Sequence, residues 1–245
     1  MKPINLYILT RVSGFDLDVY VNIEKTMSLK DAPSVIREHE KKDLRKMVDL
    51  VYDSSNDINI FDNFYYSYSI PQISEEFDLL KFDEQTVLNI EIKDKMIANK
   101  KILYQLEKNK YYLSHLEKNI ISLVYVSEKN KFFIDLNNNL NEIEISEVIT
   151  ILKQFNNAFT INIDELFKAS MFLVSPLNSP QKFLNNNYFL TNHQKEIEKH
   201  IIKLILETNY KYYQIKGIAG TGKTLLLYDI AKELTNYGTV CIIHA

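Results

Sequence analysis

Three of the chain's five glycines fall within eight residues, Gly217-Ile218-Ala219-Gly220-Thr221-Gly222-Lys223-Thr224. Few sequence features restrict a fold so tightly. The run matches G-x-x-x-x-G-K-[ST], a spacing that lets backbone N–H groups turn towards phosphate oxygens ahead of a helix N-terminus. Its flanks agree. Tyr212, Gln214 and Ile215 read as a short strand, and Thr224 to Leu234 carries apolar residues at helical spacing. The bland alternative is a glycine-rich turn before an ordinary helix. The expectation is a nucleotide site in which all eight residues contact ATP. Lys223 reaches the β- and γ-phosphates there, and Thr224 ligates Mg²⁺.

Composition sets the outer limits. The 245 residues are 46% hydrophobic and 25% charged, ordinary values for a soluble protein of one or two domains. A net charge of −3 gives no global basic signature, so nucleic-acid binding must use local patches. The single cysteine, Cys241, excludes a disulfide framework and a cysteine zinc cluster, and its apolar neighbours predict a buried thiol. No signal peptide opens the chain and no apolar run approaches about 18 residues, so the expectation is a cytoplasmic protein with no membrane contact. The five histidines show no ligand spacing and read as surface or packing residues.

Along the chain, Ile4 to Val12 and Leu17 to Ile23 are candidate strands, and a helical pattern begins near Ala32. Glu40, Leu44, Val48 and Val51 recur at i, i+4, i+8 and i+11, which sets a carboxylate on an apolar stripe. Strands are predicted at 64–71, 77–82 and 87–93, a long helix at 96–117, a strand pair at 121–126 and 131–135, and a helix at 146–155. Asn137 to Asn141 reads as a polar loop. Pro176, Pro180 and the Asn185–Asn187 run mark a linker over 176–188.

A second chemical signal lies in the first half. Alternation sends Asn89, Glu91 and Lys93 to one face of their strand and Leu88, Ile90 and Ile92 to the other. Asp78 interrupts the apolar run Phe77, Leu79, Leu80, where an unpaired carboxylate is costly. A divalent cation would resolve that cost, and carboxylate oxygens suit Mg²⁺ bound together with substrate phosphate. The plain alternative is a solvated strand face on which Glu91 pairs with Lys93 or Lys95.

Asp78…Glu91-x-Lys93 on consecutive strands resembles the PD-(D/E)xK nuclease superfamily. The resemblance implies a restriction-endonuclease-like α/β/α domain over 1–175 that hydrolyses phosphodiesters with Mg²⁺ held by Asp78 and Glu91. It implies an acidic residue on the preceding helix, for which Glu40 is the candidate and Glu38 the alternate. Pro71 lies seven residues ahead of Asp78 instead of beside it, a departure from the family name. Gln105, Asn109 and Tyr112 share one face of the following helix. Some branches of the superfamily carry a Gln there, which adds Gln105 to the catalytic set and brings in Tyr112 more weakly.

Ahead of the glycine run, Thr191 and Gln194 have the spacing of a capping box. The same residues resemble the Leu-[Thr/Asn]-x-x-Gln motif of superfamily 1 helicases, whose Gln reads the adenine edge. On that resemblance Gln194 contacts ATP, and 189–245 is the start of a RecA-like P-loop NTPase. The order of nuclease, linker and phosphate loop looks like bacterial nuclease–helicase fusions with a Schlafen-like ATPase, some of which act in phage defence. After the helix at 224–235 only one further strand, 239–243, is predicted. The acidic strand end and catalytic arginine of an ATPase core are not in the sequence. The expectation is therefore a fragment: a Mg²⁺-dependent nuclease acting on nucleic acid, taken as DNA, joined to the ATP-binding start of a motor. The remainder of the helicase would be its partner, as a separate chain. The alternative is a non-catalytic nuclease-like sensor attached to an ATP-binding regulatory segment.

Overall fold

The computed structural model describes residues 1–11, 38–70, 75–155, 161–167, 172, 174–186, 188–207, 212–217 and 221–243. The candidate strand 17–23, the Glu38 side chain, His244 and the loop residues Ile218, Ala219 and Gly220 lie outside this set. The chain divides into two units. One comprises Met1–Ile70 with Glu76–Phe167, and the other Pro71–Glu75 with Lys168–Ala245.

The first unit is mixed α/β, built on one six-stranded sheet in the order β1-β2-β3-β4-β5-β6. The strands are β1 Phe64–Ser69, β2 Glu76–Phe82, β3 Thr86–Lys93, β4 Asn119–Val126, β5 Lys131–Leu136 and β6 Asn139–Ile143. Only β3 and β4 run parallel, as their long connection requires, while the other neighbours run antiparallel. That connection contains the helix Asn99–Ser114. Among the described residues the α-helices of this unit are, in chain order, α1 Leu6–Arg11, α2 Glu38–Ser55, α3 Asn99–Ser114, α4 Ile145–Gln154 and α5 Ile163–Leu166.

Apolar side chains on both faces of the sheet explain why helices cover both. On one face Leu88, Ile90, Leu123 and Tyr125 pack with Leu6 and Leu9 of α1, Leu44, Val48 and Val51 of α2, and Val148 and Leu152 of α4. On the other, Ile102 and Leu106 of α3 cover Val124, Val126 and Phe133. The apolar stripe of α2 thus behaves as its periodicity predicts. Lys81 lies inside this unit at 1% exposure, its Nζ donating to the Ile60 carbonyl at 2.9 Å. Burial lowers its pKa to about 8, against the pull of Asp62.

Two expectations fail here. Ile4 to Val12 is no strand: Ile4 makes one isolated bridge to Phe64, and Leu6–Arg11 is helical because Leu6 and Leu9 must both reach the core. Asn137 to Asn141 is no simple loop. Asn137 and Asn138 take positive φ (52° and 62°), the conformation of a tight hairpin turn, and β6 leaves that turn as a largely exposed edge strand.

In the second unit the described elements are α6 Pro180–Leu184, α7 Asn192–Glu207 and α8 Lys223–Leu234. A small core of Leu190, Leu226 and Ile230, flanked by Ile197, Ile201 and Leu225, joins α7 to α8. The short helix α6 occupies the middle of the predicted linker and buries Phe183. Neither predicted strand forms, at 212–215 or at 239–243. A strand needs a neighbour for its backbone donors and acceptors, and Tyr212 (92% exposed) and Ile243 (87%) are left in solvent. Cys241 is exposed, contrary to the buried thiol expected, because the strand predicted to carry it does not form. Among the described residues no helix is long and apolar enough to cross a membrane.

Candidate functional site

Sheet register brings the acidic residues of the first unit together. The β2–β3 ladder ends at Leu79 opposite Ile90, and one further step in that register sets Asp78 across from Glu91. There the Asp78 carboxylate replaces a ladder bond, its Oδ2 accepting from the Ile92 backbone N–H at 2.8 Å. Glu91 and Lys93 follow two residues apart on β3, and Lys93 Nζ donates to Glu91 Oε2 at 2.9 Å. This is the carboxyl end of the parallel strand β3, where α/β sheets commonly hold ligands. A cavity of about 400 Å³ opens at this end, lined by Glu40, Asp43, Tyr66, Ser67, Glu76, Asp78, Ile92, Lys93 and Asp94.

Glu40 reaches the cavity because α2 is tied down beside it. Asp43, one turn on, accepts from Ser127 Oγ at 2.5 Å, just past the end of β4. Glu40 of α2, Asp78 of β2 and Lys93 of β3 therefore line one cavity.

The polar face of β3 is not solvated. Glu91 is 3% exposed and Asn89 is fully buried, because α3 lies over them. Asn109 of α3 donates through Nδ2 to Glu91 Oε1 at 2.7 Å, and Gln105 Nε2 donates to Asn109 Oδ1 at 3.0 Å. Gln105 therefore acts on Glu91 at one remove, as a positioning residue, and Asn109 makes the direct contact. Tyr112 is buried and packs edge-on against Tyr111.

Electrostatics separate the groups further. Burial, followed by the charge of Glu91, pushes the Asp78 carboxyl up to about 8, while Lys93 and the Ile92 N–H pull it back. Burial also works against the Lys93 ammonium, but Glu91 and Asp78 outweigh it and hold its pKa above the usual lysine value. Lys93 is thus held as a cation more firmly than the buried Lys81, whose pKa burial lowers. A carboxyl kept partly neutral by burial and by a second carboxylate fits a site that takes up a cation. Among the described residues no three His, Cys, Asp or Glu side chains converge to hold a metal alone. The residues fit Mg²⁺ bound through one or two carboxylates with water and phosphate, and do not fit a closed protein cage.

In the second unit Gly222, at φ 75°, is the residue before α8, and no side chain hydrogen-bonds as a cap to the helix that starts at Lys223. The positive φ of Gly222 demands glycine, and a Cβ there would meet Gln194 Nε2 at 2.6 Å and displace that amide. Gln194 forms the capping box: its Oε1 accepts from the Thr191 N–H at 2.8 Å, and its N–H donates to Thr191 Oγ1 at 3.2 Å. Its Nε2 also donates to the Thr221 carbonyl at 3.1 Å, fastening α7 to the glycine run across 27 residues. The Lys223 stem folds back against Gly217, and Thr221 and Thr224 are exposed. Gln194, Gly217, Thr221, Gly222, Lys223 and Thr224 are thereby gathered, while residues 218–220 are not described.

His115 is a packing residue, as expected. Its two ring nitrogens contact the carbonyl oxygens of Tyr112 and Leu166. Sequence reasoning missed Asn109 as a site member, although its i+4 spacing from Gln105 was the available signal. It also missed Tyr66 and Ser67, for which no motif exists. Comparison with protein-family models, curated proteins and solved structures finds no match to this chain.

Proposed function

We propose that the first unit is a Mg²⁺-dependent nuclease of restriction-endonuclease-like α/β/α type, and that the second is an ATP-binding P-loop segment of a superfamily 1 motor. The observation that carries the first half is the meeting of Glu40, Asp78 and Lys93 at one cavity, with Glu91 bound to Lys93. Asp78 and Glu91 would hold Mg²⁺, with Glu40 alongside. Bound there, the ion would supply charge stabilisation at the phosphorus. Lys93, held cationic by its two carboxylates, orients the attacking water or the phosphate instead of accepting a proton. Asn109, set by Gln105, keeps Glu91 turned towards Lys93. The substrate is nucleic acid, and DNA is the form proposed.

In the second unit the helix N-terminus at Lys223 and the glycine at positive φ support ATP binding, and Thr224 would ligate Mg²⁺. ATP-driven translocation is proposed only for a larger assembly containing the rest of the motor, and a phage-defence role rests on the fusion resemblance alone. The deciding experiment is cleavage of single- and double-stranded DNA with Mg²⁺ by wild type, Asp78→Ala and Lys93→Ala. Equal cleavage by all three overturns the reading.

One observation favours a second reading. Both Glu91 oxygens already accept from protein donors, Asn109 and Lys93, as a non-catalytic sensor module would allow. Calorimetric titration with Mg²⁺ separates the two, because a module that has lost its chemistry gives no Asp78-dependent heat.

A further inference from the structure

We propose that the Tyr66 hydroxyl is a substrate contact, donating a hydrogen bond to a phosphate oxygen of the nucleic-acid backbone at the Asp78–Lys93 cavity. The proposal rests on the nuclease reading and names a residue that no motif assigns.

Geometry supplies the first support. Successive side chains of a strand point to opposite faces, yet Tyr66 and Ser67 of β1 both line the cavity. The break has a visible cause: Ser67 adopts φ 50° inside the strand. A non-glycine residue in the left-handed region costs energy, and such residues gather at binding sites. Ser67 is held in that conformation by a hydrogen bond from its Oγ to Glu76 Oε1. The register on either side is unbroken, with Tyr66 opposite Leu79 and Tyr68 opposite Phe77. The turn at Ser67 therefore changes where side chains aim without shifting the pairing.

Hydrogen bonding supplies the second. The neighbouring tyrosines of β1 both have acceptors, Tyr65 in the Ile161 carbonyl at 2.6 Å and Tyr68 in the Ile163 carbonyl at 3.4 Å. Tyr66 is 7% exposed and its ring belongs to the main core, yet no hydrogen bond from its hydroxyl is found among the described residues. The oxygen is not one of the sealed, unpartnered atoms of this unit, such as those of the Asn89 amide, so it is open to the cavity that Tyr66 lines. Burial, and then the charges of Glu40, Asp78 and Glu76, hold the phenol protonated, so it can only serve an incoming acceptor as a donor.

Complementarity supplies the third. The cavity lining carries the carboxylates of Glu40, Asp43, Glu76, Asp78 and Asp94, and its side-chain donors include Lys93 and Tyr66. An anionic phosphodiester entering beside a cation would place its oxygens against those donors and away from the carboxylates.

The test is Tyr66→Phe, which removes one oxygen and leaves the ring in the core. Binding of a fluorescently labelled oligonucleotide is followed by anisotropy with Ca²⁺ in place of Mg²⁺, alongside Mg²⁺ calorimetry, thermal melting and cleavage kinetics. The expected result is about tenfold weaker oligonucleotide binding with a matching rise in KM, and unchanged Mg²⁺ affinity and melting temperature. Unchanged oligonucleotide affinity overturns the proposal. A fall in Mg²⁺ affinity equal to the fall in oligonucleotide affinity also overturns it, because the hydroxyl would then serve the ion's hydration shell. Asp78→Ala, run in parallel, keeps the two readings apart. An inactive Asp78→Ala beside a Tyr66→Phe that binds as wild type sinks only the Tyr66 contact. An Asp78→Ala that cleaves as wild type sinks the nuclease reading and this proposal with it.

Discussion

The cavity of the first unit and the glycine run of the second are built in opposite ways. At the cavity, single residues arrive from α2, β1, β2 and β3: Glu40, Tyr66, Asp78, Lys93. Asp78 and Glu40 each interrupt an apolar pattern in their own segments, Tyr66 and Lys93 do not, and only the folded sheet makes the four a site. In the second unit eight consecutive residues carry nearly the whole signal, and Gln194 is the one distant contributor described. A site assembled from distant segments inherits its accuracy from a large core. A site written into local backbone depends on local φ angles, of which that of Gly222 is positive. The two should therefore fail through different substitutions.

The largest expected effect tests whether they fail separately. Asp78→Ala or Lys93→Ala should lower Mg²⁺-dependent DNA cleavage by about 10²- to 10³-fold, the scale seen for loss of one electrostatic or metal-positioning group. Lys223→Ala should leave ATP-independent cleavage unchanged while weakening binding of a fluorescent ATP analogue at least about tenfold. A parallel loss of cleavage in Lys223→Ala would show that the comparison is wrong and that the sites share one function.

Next in size is the contact under α3. Asn109→Leu leaves Glu91 Oε1 buried without its donor, which costs about 1–3 kcal/mol. The expected readouts are a lower melting temperature and a kcat reduced about tenfold, with KM nearly constant. Gln105→Ala should do the same more weakly, because it removes a bond that orients the Asn109 amide and leaves the Asn109–Glu91 bond in place. If Gln105→Ala proves more damaging than Asn109→Leu, Gln105 touches substrate directly and the relay is not its role.

Gly222→Ala probes the local site. The substitution puts a Cβ 2.6 Å from Gln194 Nε2 and asks alanine to hold φ 75°, a backbone cost of about 1–2 kcal/mol. Nucleotide affinity should fall roughly tenfold, with DNA cleavage untouched. Adding Gln194→Ala removes the collision but not the backbone cost, so recovery should be partial. Full recovery would mean that space, and not φ, is what the glycine provides.

Legibility in the sequence followed the same division. Strands β2 and β3 were readable because alternation and an apolar run constrain a half-buried strand directly. Asp78 stood out because a carboxylate inside such a run needs a partner. Glu40 was readable from its place on the α2 stripe. Alternation also showed that Asn89, Glu91 and Lys93 share a face, but nothing local says what covers a face. That α3 buries Glu91 at 3% exposure is a tertiary fact. Strand β6 was missed because an exposed edge strand of Asn-Leu-Asn-Glu-Ile carries little apolar signal and pairs on one side only. In the second unit the opposite error occurred. The apolar residues of 212–215 and 239–243 look like strands, yet in the described structure no neighbouring strand pairs with them. The glycine run was legible because it encodes backbone geometry directly.

The smallest expected effect is the pH dependence of stability, and it bears on only one of the two regions. The Asp78 carboxyl, raised to about 8 by burial and by Glu91, would titrate near the ordinary aspartate value of about 3.9 when unfolded. Between those two values the folded protein binds more protons at Asp78 than the unfolded chain does. Stability from this group is therefore fully present below about pH 4 and is lost as pH rises through about 8. In the metal-free protein the melting temperature should decline across that window, and Asp78→Asn, which cannot ionise, should flatten the decline. Mg²⁺ selects the ionised carboxylate, so its stabilising shift should be larger at pH 9 than at pH 6. Lys223→Ala should leave both profiles unchanged. A Mg²⁺ shift that is the same at both pH values, or that survives in Asp78→Asn, would mean that the ion does not bind at Asp78. The contrast between an assembled cation site and a local phosphate loop would then have to be redrawn.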